Sequence, residues 1–519
     1  MNNKSIIAST IFVAVATMVV RFSGYIREVT LASIYGAGMV SDAFIIAFTV
    51  PSIVLALFGA STATVFIPVY TRVKGDRAHF TNNILTLLAL VGLIFTAVFA
   101  TYPQALVFLF ASQFNAEAAA ITSELLRIMT WAAVPILLTG VLQSYLQIKN
   151  AFFLATVLTI PINVYTILSI LLSRSIDSIT VMGYGVVAGN IMAIIFLFAA
   201  AYCKGYAYRP VIDLKMPELK MLLVMITPVV ITIFIGDINQ IVDRNFASSL
   251  VAGSISSLNY AGKTISILVG TIGAPLATVL YPRMSELAAK DNLPEIRRCV
   301  TECVKRLIPI LLPATLGIMI LARPIIRVIF ERGEFTVQNT QMAMECLRMY
   351  APLLVLSSLN AVIIRALFSI RDTKTPAMIT AASVGVGIVI NIILIGPLAH
   401  MGLALSSSIS AMISTILLLF VFRKRVGLLH LKRDLREWVK VLVATVIMGV
   451  VVAVGYYFLP VMGGGTFQSL LLAGGLVAAG IGVYILMHLV LRTVFIGEAF
   501  ALVRKLLAAR KDKGTVHPS

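Results

Sequence analysis

Charge is what this chain has least of. Of 519 residues only 12% are Asp, Glu, Lys or Arg, against 59% hydrophobic, and the mean hydropathy is +0.99. Soluble domains carry about 25% charge and about 45–50% apolar residues, so lipid must solvate most of this chain. Soluble enzymes, nucleic-acid binders and secreted disulfide scaffolds are excluded together. Acidic residues are scarcer than basic ones, 22 against 41, which leaves a formal net charge of +19. In a membrane protein such an excess records Lys- and Arg-rich cytoplasmic loops rather than a nucleic-acid partner. Cysteine is nearly absent too. Cys203, Cys299, Cys303 and Cys346 form no CxxC pair, and with only five His no metal site is expected. No P-loop is present, and no His lies at a recognisable spacing from a Ser or Cys nucleophile, so the chain reads as a non-enzyme. One Lys precedes the first apolar run and no small-residue cleavage site precedes Arg21, so that run reads as a retained span rather than a signal peptide.

What is present is a series of apolar segments long enough to cross a bilayer. They predict an all-α polytopic membrane protein with about fourteen transmembrane helices, at 5–33, 42–71, 80–102, 119–148, 151–173, 179–203, 218–248, 254–282, 304–330, 338–369, 375–398, 401–422, 438–459 and 467–492. The windows 31–42, 102–118, 249–256 and 458–468 hold no Lys or Arg. Alternate loops hold Arg72/Lys74/Arg77, Lys204/Arg209/Lys215, Arg297/Arg298/Lys305/Arg306 and Arg423/Lys424/Arg425/Lys432/Arg433/Arg436, and the tail adds Arg504, Lys505, Arg510, Lys511 and Lys513. The positive-inside rule then places both termini in the cytoplasm. The segment 323–334, with Arg323, Arg327 and Arg332, departs from that pattern, partly balanced by Glu331 and Glu334.

The sequence also repeats itself. Gly59–Pro68 returns as Gly273–Pro282 with six identities in ten, 214 residues on. Glu28–Ser33 echoes Asp243–Ser248, Gly38 matches Gly253, Leu126-Arg127 matches Leu347-Arg348, and Ile148-Lys149-Asn150 matches Ile370-Arg371-Asp372, at offsets of 215 to 222. Six spans per copy is an even number, which gives two parallel six-helix repeats with a substrate site between them and two extra C-terminal helices. The expected domains are an N-lobe at 1–203, a C-lobe at 204–422, and spans 13 and 14 with the basic tail at 423–519.

Ionisable groups inside spans cost roughly 2.5–3.5 kcal/mol each and usually face a cavity or a partner. Here they gather in repeat-equivalent helices: Arg21, Arg27 and Glu28 in span 1, Asp42 opening span 2, Asp237, Asp243 and Arg244 in span 7, and Lys263 in span 8. Asp243/Arg244 also reads as a structural ion pair, and Arg27/Glu28 as residues near the outer interface. A cavity walled by Arg21, Arg27, Arg244 and Lys263 is net positive despite Glu28 and Asp243, and guanidinium suits phosphate. Asn391 and Ser406, Ser407, Ser408 and Ser410 form a second polar group. With Asp243 they offer oxygens to Na⁺ or a carboxylate to a proton cycle; close helix packing is the alternative.

These residues carry a resemblance. Arg21-Phe-Ser-Gly-Tyr-Ile-Arg27-Glu28, Tyr35-Gly-Ala-Gly38, Ser41-Asp-Ala-Phe44, Pro51, Phe66-Ile-Pro68, Asn259-Tyr-Ala261, Phe330-Glu-Arg-Gly-Glu-Phe-Thr336, Arg371-Asp-Thr-Lys-Thr-Pro376 and Gly396-Pro-Leu-Ala-His-Met-Gly402 resemble, in order, the MurJ (MviN) lipid II flippases. That family lies within the superfamily of multidrug and polysaccharide-lipid exporters. The resemblance implies fourteen spans and a flippase that moves lipid-linked peptidoglycan precursor to the outer leaflet by alternating access. It implies lipid II, membrane lipids and the wall-synthesis machinery as partners, and no cofactor beyond the membrane potential and a coupling ion, Na⁺ or H⁺. The family's cavity arginines fall on Arg21 and Arg27, its following acid on Glu28 and its helix 2 acid on Asp42. The cation site seen in some members falls on Asp243, Asn391 and Ser407. Two departures stand out: Lys263 replaces an Arg, after Gly262 in place of an acid, and Leu55 or Ala56 stands where many members have Arg. Exporters of another polyprenyl-pyrophosphate oligosaccharide, cation-coupled drug exporters and a non-transporting scaffold are the rival readings. A drug exporter would have an acidic or apolar cavity, and a scaffold would tolerate loss of Arg21 and Arg27.

Overall fold

A computed structural model describes residues 3–429, 435–459 and 466–493. Lys432, Arg433 and the tail residues Arg504, Lys505, Arg510, Lys511 and Lys513 lie outside the described residues, as do the side chains of Leu55 and Ala56. Helices and short connections make up all of the described chain, with no strand. Ten helices are long and apolar enough to cross a membrane, or eleven if the bent pair Pro217–Ile231 and Gly236–Ala247 is one span. The difference from fourteen has local causes. Lys374–Arg425 runs as one element of 52 residues, yet Ala399 at φ 47° breaks it where the sequence expects spans 11 and 12 to meet. Asn3–Tyr35 and Ser254–Leu268 are helical where spans 1 and 8 are expected, but carry the charged and polar residues discussed below.

Outward-facing apolar side chains confirm lipid as the solvent. Ile94, Phe108, Ile393 and Leu486 are all more than half exposed, an arrangement that only hydrocarbon rewards. Helix ends are set by ordinary chemistry. Asp76 accepts from the Ala78 N–H at 2.8 Å and Asn115 from the Ala118 N–H at 2.8 Å, while Pro103 and Pro217 open their helices where no N–H partner exists.

The chain divides into two compact units. One comprises 1–260, 330–342 and 384–403; the other comprises 261–329, 343–383 and 404–519. In the first, Phe66, Tyr70, Phe80, Tyr145 and Tyr206 pack as an aromatic column with Leu85, Val141 and Leu142. The connection 204–216 is stitched to the helix Arg77–Thr101 by side chains. Asn83 exchanges two 2.8 Å hydrogen bonds with the Asp213 backbone, Tyr206 donates to Asn82 at 2.6 Å, and Thr86 meets the Tyr208 hydroxyl at 2.9 Å. Burial pushes the Tyr206 phenol well above its ordinary range, so it stays a donor. In the second unit, Leu435–Phe458 and Thr466–Val490 pack on Leu293–Phe330 through Leu321, Met448, Val452 and Leu476, and Tyr484 donates to the Pro309 carbonyl at 2.6 Å.

The internal repeat is written in the backbone as well as in the residues. Left-handed turns fall at Asn150 and Arg371, Asp177 and Ala399, and Gly205 and Gly427, at offsets of 221 or 222. The first pair moves one match by a residue: Asn150 is equivalent to Arg371, not to Asp372. Ala151 and Asp372 make the same closing bond, back to Leu146 O and Leu367 O respectively. A π-helical turn at Leu55–Ala60 recurs at Val269–Gly273, starting 214 residues later. The four cysteines are free.

Candidate functional site

The first unit contains a continuous line of buried and half-buried polar side chains. It begins on Asn3–Tyr35, where Ser23 and Arg27 lie four residues apart and so share a face. Asn163, from the helix Ile160–Ile176, bridges them: its Nδ2 donates to Ser23 Oγ at 2.9 Å and its Oδ1 accepts from Arg27 at 3.3 Å. Arg27 also donates to Glu28 Oε1 at 2.6 Å, and its guanidinium lies 4.1 Å from the centre of the Phe48 ring. Glu28 Oε2 accepts from Asn259 Nδ2 at 2.8 Å, and Asn259 Oδ1 accepts from Arg244 at 3.2 Å. Arg27 and Glu28 are 7% and 5% exposed, so snorkelling to water does not account for either. Two guanidinium groups and one carboxylate leave this line with one net positive charge.

Asp42 has a different setting. Its Oδ2 accepts from the Gly253 N–H at 2.7 Å, and its Oδ1 accepts from the Ser256 N–H at 2.7 Å and the Ser256 hydroxyl at 2.6 Å. It therefore satisfies the open start of Ser254–Leu268, where backbone donors and the helix dipole both favour a carboxylate. Gly253 is required there: at φ +93° any Cβ would drive into the Ala37 carbonyl.

Asp243 lies on Pro217–Ala247 between two amides. Asn391 donates to its Oδ1 at 2.6 Å and Asn239 to its Oδ2 at 3.0 Å. Carboxylate and amide oxygens are hard donors of the kind that suit Na⁺, and the carboxylate is equally a proton acceptor. Ser407 belongs to the second unit, as does Lys263. Arg21 is exposed on the first helix and has no hydrogen-bond or ion-pair partner among the described residues. Asp237, six residues before Asp243, keeps one buried carboxylate oxygen without a partner among the described residues. No group of three or more His, Cys, Asp or Glu suited to a metal occurs among the described residues.

A family profile described as "Lipid II flippase MurJ" matches residues 31–473. The chain belongs to the MurJ lipid II flippase family. Relatives named probable lipid II flippase MurJ include that of Rickettsia prowazekii, 26% identical over 87% of this chain and 90% of the relative. That of Rhizobium meliloti is 28% identical over 90% and 91%. The fold matches a solved lipid II flippase MurJ in an inward closed conformation with a TM-score of 0.79 at 23% identity, covering 93% of this chain and 99% of the other. An inward-facing multidrug resistance MATE transporter matches at a TM-score of 0.63 and 15% identity, over 79% and 98%.

Several MurJ-like segments meet in one clasp of the first unit. Glu334 N donates to Ser33 O at 2.9 Å, Asn339 Nδ2 to Ala37 O at 2.8 Å and the Tyr260 hydroxyl to Gly36 O at 3.3 Å, while Tyr260, Phe330 and Phe335 pack together. The MurJ profile match starts after Arg21, Arg27 and Glu28, so the placement of these three rests on the structure. Sequence reasoning did not single out Asn163, Phe48 or Ser256, nor Asn259 as a site residue. Asn163 carries the one available signal, an amide in the middle of an apolar run.

Proposed function

We propose that this chain flips lipid II, the lipid-linked peptidoglycan precursor, from the inner to the outer leaflet of the bacterial cytoplasmic membrane by alternating access. The observation that carries this is the hydrogen-bonded polar line Ser23–Asn163–Arg27–Glu28–Asn259–Arg244, buried at Arg27, Glu28 and Asn163 and with a net positive charge, in a chain of the MurJ family. A pyrophosphate dragged through hydrocarbon unaided pays a prohibitive desolvation cost. A cationic, hydrogen-bonding lining replaces lost water without covalent chemistry, as a transporter rather than an enzyme requires. Arg21, exposed one and a half turns before Arg27, supplies a further guanidinium for first capture, and Arg244 and Lys263 are proposed as further headgroup contacts. Asp42 supports these from its cap position. Moving negative charge outward, down an inside-negative potential, gains about 2.3 kcal/mol per charge per 100 mV, so no ATP site is needed. The lobes 1–203 and 204–422 are proposed as the moving bodies, with 423–519 alongside, both termini cytoplasmic and the wall-synthesis machinery as a partner.

The test is complementation. In a bacterium whose own lipid II flippase is shut off, this chain should restore growth and outer-leaflet lipid II. Arg21→Gln at matched expression should lower exposed lipid II about tenfold, the loss of one strong charge-assisted contact. Correct insertion with no lipid II exposed would sink the reading and turn the search to another lipid-linked oligosaccharide.

Resetting of the empty carrier is proposed to use Asp243 with Asn391, holding Na⁺ or a proton. Asp243→Asn should leave headgroup binding intact while removing any dependence of flipping rate on Na⁺ or pH. Unchanged dependence in that variant would rule the site out.

A further inference from the structure

The first unit carries a second cavity of about 670 Å³ that the flipping reaction does not use. Its walls are the short helix Pro103–Ala111 and the start of Ala116–Met129, with Gln104, Phe108, Ser112, Ser123, Glu124 and Arg127 among the lining residues. The cavity is held open by a separate set of bonds. Asn245 donates to the Leu109 carbonyl at 3.1 Å and accepts from the Ser112 hydroxyl at 3.0 Å, and Gln113 N–H donates to Ser248 Oγ at 3.2 Å. Phe108, on the cavity wall, and Tyr102, which directly precedes the short helix, are 76% and 67% exposed. Exposed aromatic rings of this kind mark the headgroup level of a membrane. The connecting window 102–118 holds no Lys or Arg, which assigns the level to the outer leaflet.

Glu124 and Arg127 are three residues apart on one helical face, yet neither side chain has an ion-pair or hydrogen-bond partner among the described residues. Opposite charges so placed ordinarily close on each other. With both lining the cavity and no bond between them, they match a ligand that carries both signs itself. From this geometry we infer that the cavity binds the headgroup of an outer-leaflet phosphatidylethanolamine, its phosphate on Arg127 and its ammonium on Glu124. Gln104, Ser112 and Ser123 supply further hydrogen bonds, and the acyl chains lie along the exposed rim of Tyr102 and Phe108. A choline headgroup has no N–H to donate to Glu124, and a glycerol headgroup, with the same phosphate, has no ammonium to pair with it. The carboxylate thus selects the ethanolamine.

The test is native mass spectrometry of the purified full chain in detergent, with POPE, POPC and POPG supplied in equal amounts. POPE should be retained several-fold over both others. Glu124→Gln should erase its advantage over POPG, and Arg127→Gln should remove one bound POPE per chain. Both side chains are exposed, so thermal unfolding should stay at the parent value, and Arg298→Gln, on a different helix, should change nothing. Equal retention of the three lipids, a preference for POPG in the parent, or a POPE preference indifferent to both substitutions would overturn the assignment.

Discussion

Arg27→Met alone is expected to abolish outer-leaflet exposure of lipid II, and the double variant Arg27→Met/Glu28→Gln is expected to fold without regaining it. The reasoning separates two roles of one side chain. Removing Arg27 leaves Glu28 buried at 5% exposure without its guanidinium, though still bonded to Asn259, and breaking a buried pair costs about 3–5 kcal/mol. The single variant therefore loses stability whatever else it loses. Neutralising both members removes that penalty, because apolar or neutral groups of similar volume often replace a buried pair without loss. If the pair were only a structural lock, the double variant would flip lipid II as the parent does. If Arg27 exchanges Glu28 for the pyrophosphate, the double variant inserts, unfolds near the parent temperature and exposes less than a tenth of the parent's lipid II. Measuring both quantities on both variants decides between them.

The second large effect is expected at Asp42. Its carboxylate accepts three bonds from the start of Ser254–Leu268, two of them from backbone N–H groups that have no intrahelical acceptor. Asp42→Ala strands those donors in a buried site. Capping losses run to about 2 kcal/mol and charge-assisted bonds to about 1.5–3 kcal/mol each, so a total loss of about 3 kcal/mol or more is expected. Asp42→Asn keeps one acceptor oxygen and should recover part of it. Thermal unfolding in detergent checks the order parent, Asn, Ala. An Ala variant as stable as the parent would show that this helix start is satisfied some other way.

Composition and apolar runs were enough for the membrane class and the helical fold, because lipid leaves a spanning backbone few options. The clustering of Arg27, Glu28, Asp243 and Arg244 was legible for the same reason: charge within a span must find a partner. What those partners are was not legible. Asn163 and Asn259 are neutral amides, common enough in loops and spans alike that no pattern marks them, yet each joins two charged groups through its carbonyl and amino ends. Asp42 shows a different limit. An acid at the opening of span 2 reads as a cavity residue, and only the fold brings it onto a helix start 211 residues away. The one-residue shift at Asn150 and Arg371 has a similar origin. Matching by residue type aligned Asn with Asp, while the backbone aligns the positions that share a left-handed turn.

The paired π turns have a consequence for the history of the chain. A π turn accommodates an extra residue within a helix, and it is rare enough that two independent gains at the same repeat position are improbable. Leu55–Ala60 and Val269–Gly273 were therefore inherited together, from a single six-helix ancestor that already had the turn. The offset between the copies is 215 at Gly38 and Gly253, 214 at the start of these turns and 221 by Leu126 and Leu347, so most of the length difference between the halves lies away from the turn. That change falls between 68 and 126 in one copy and 282 and 347 in the other. Both halves have kept the irregular turn while the spacing beyond it has drifted.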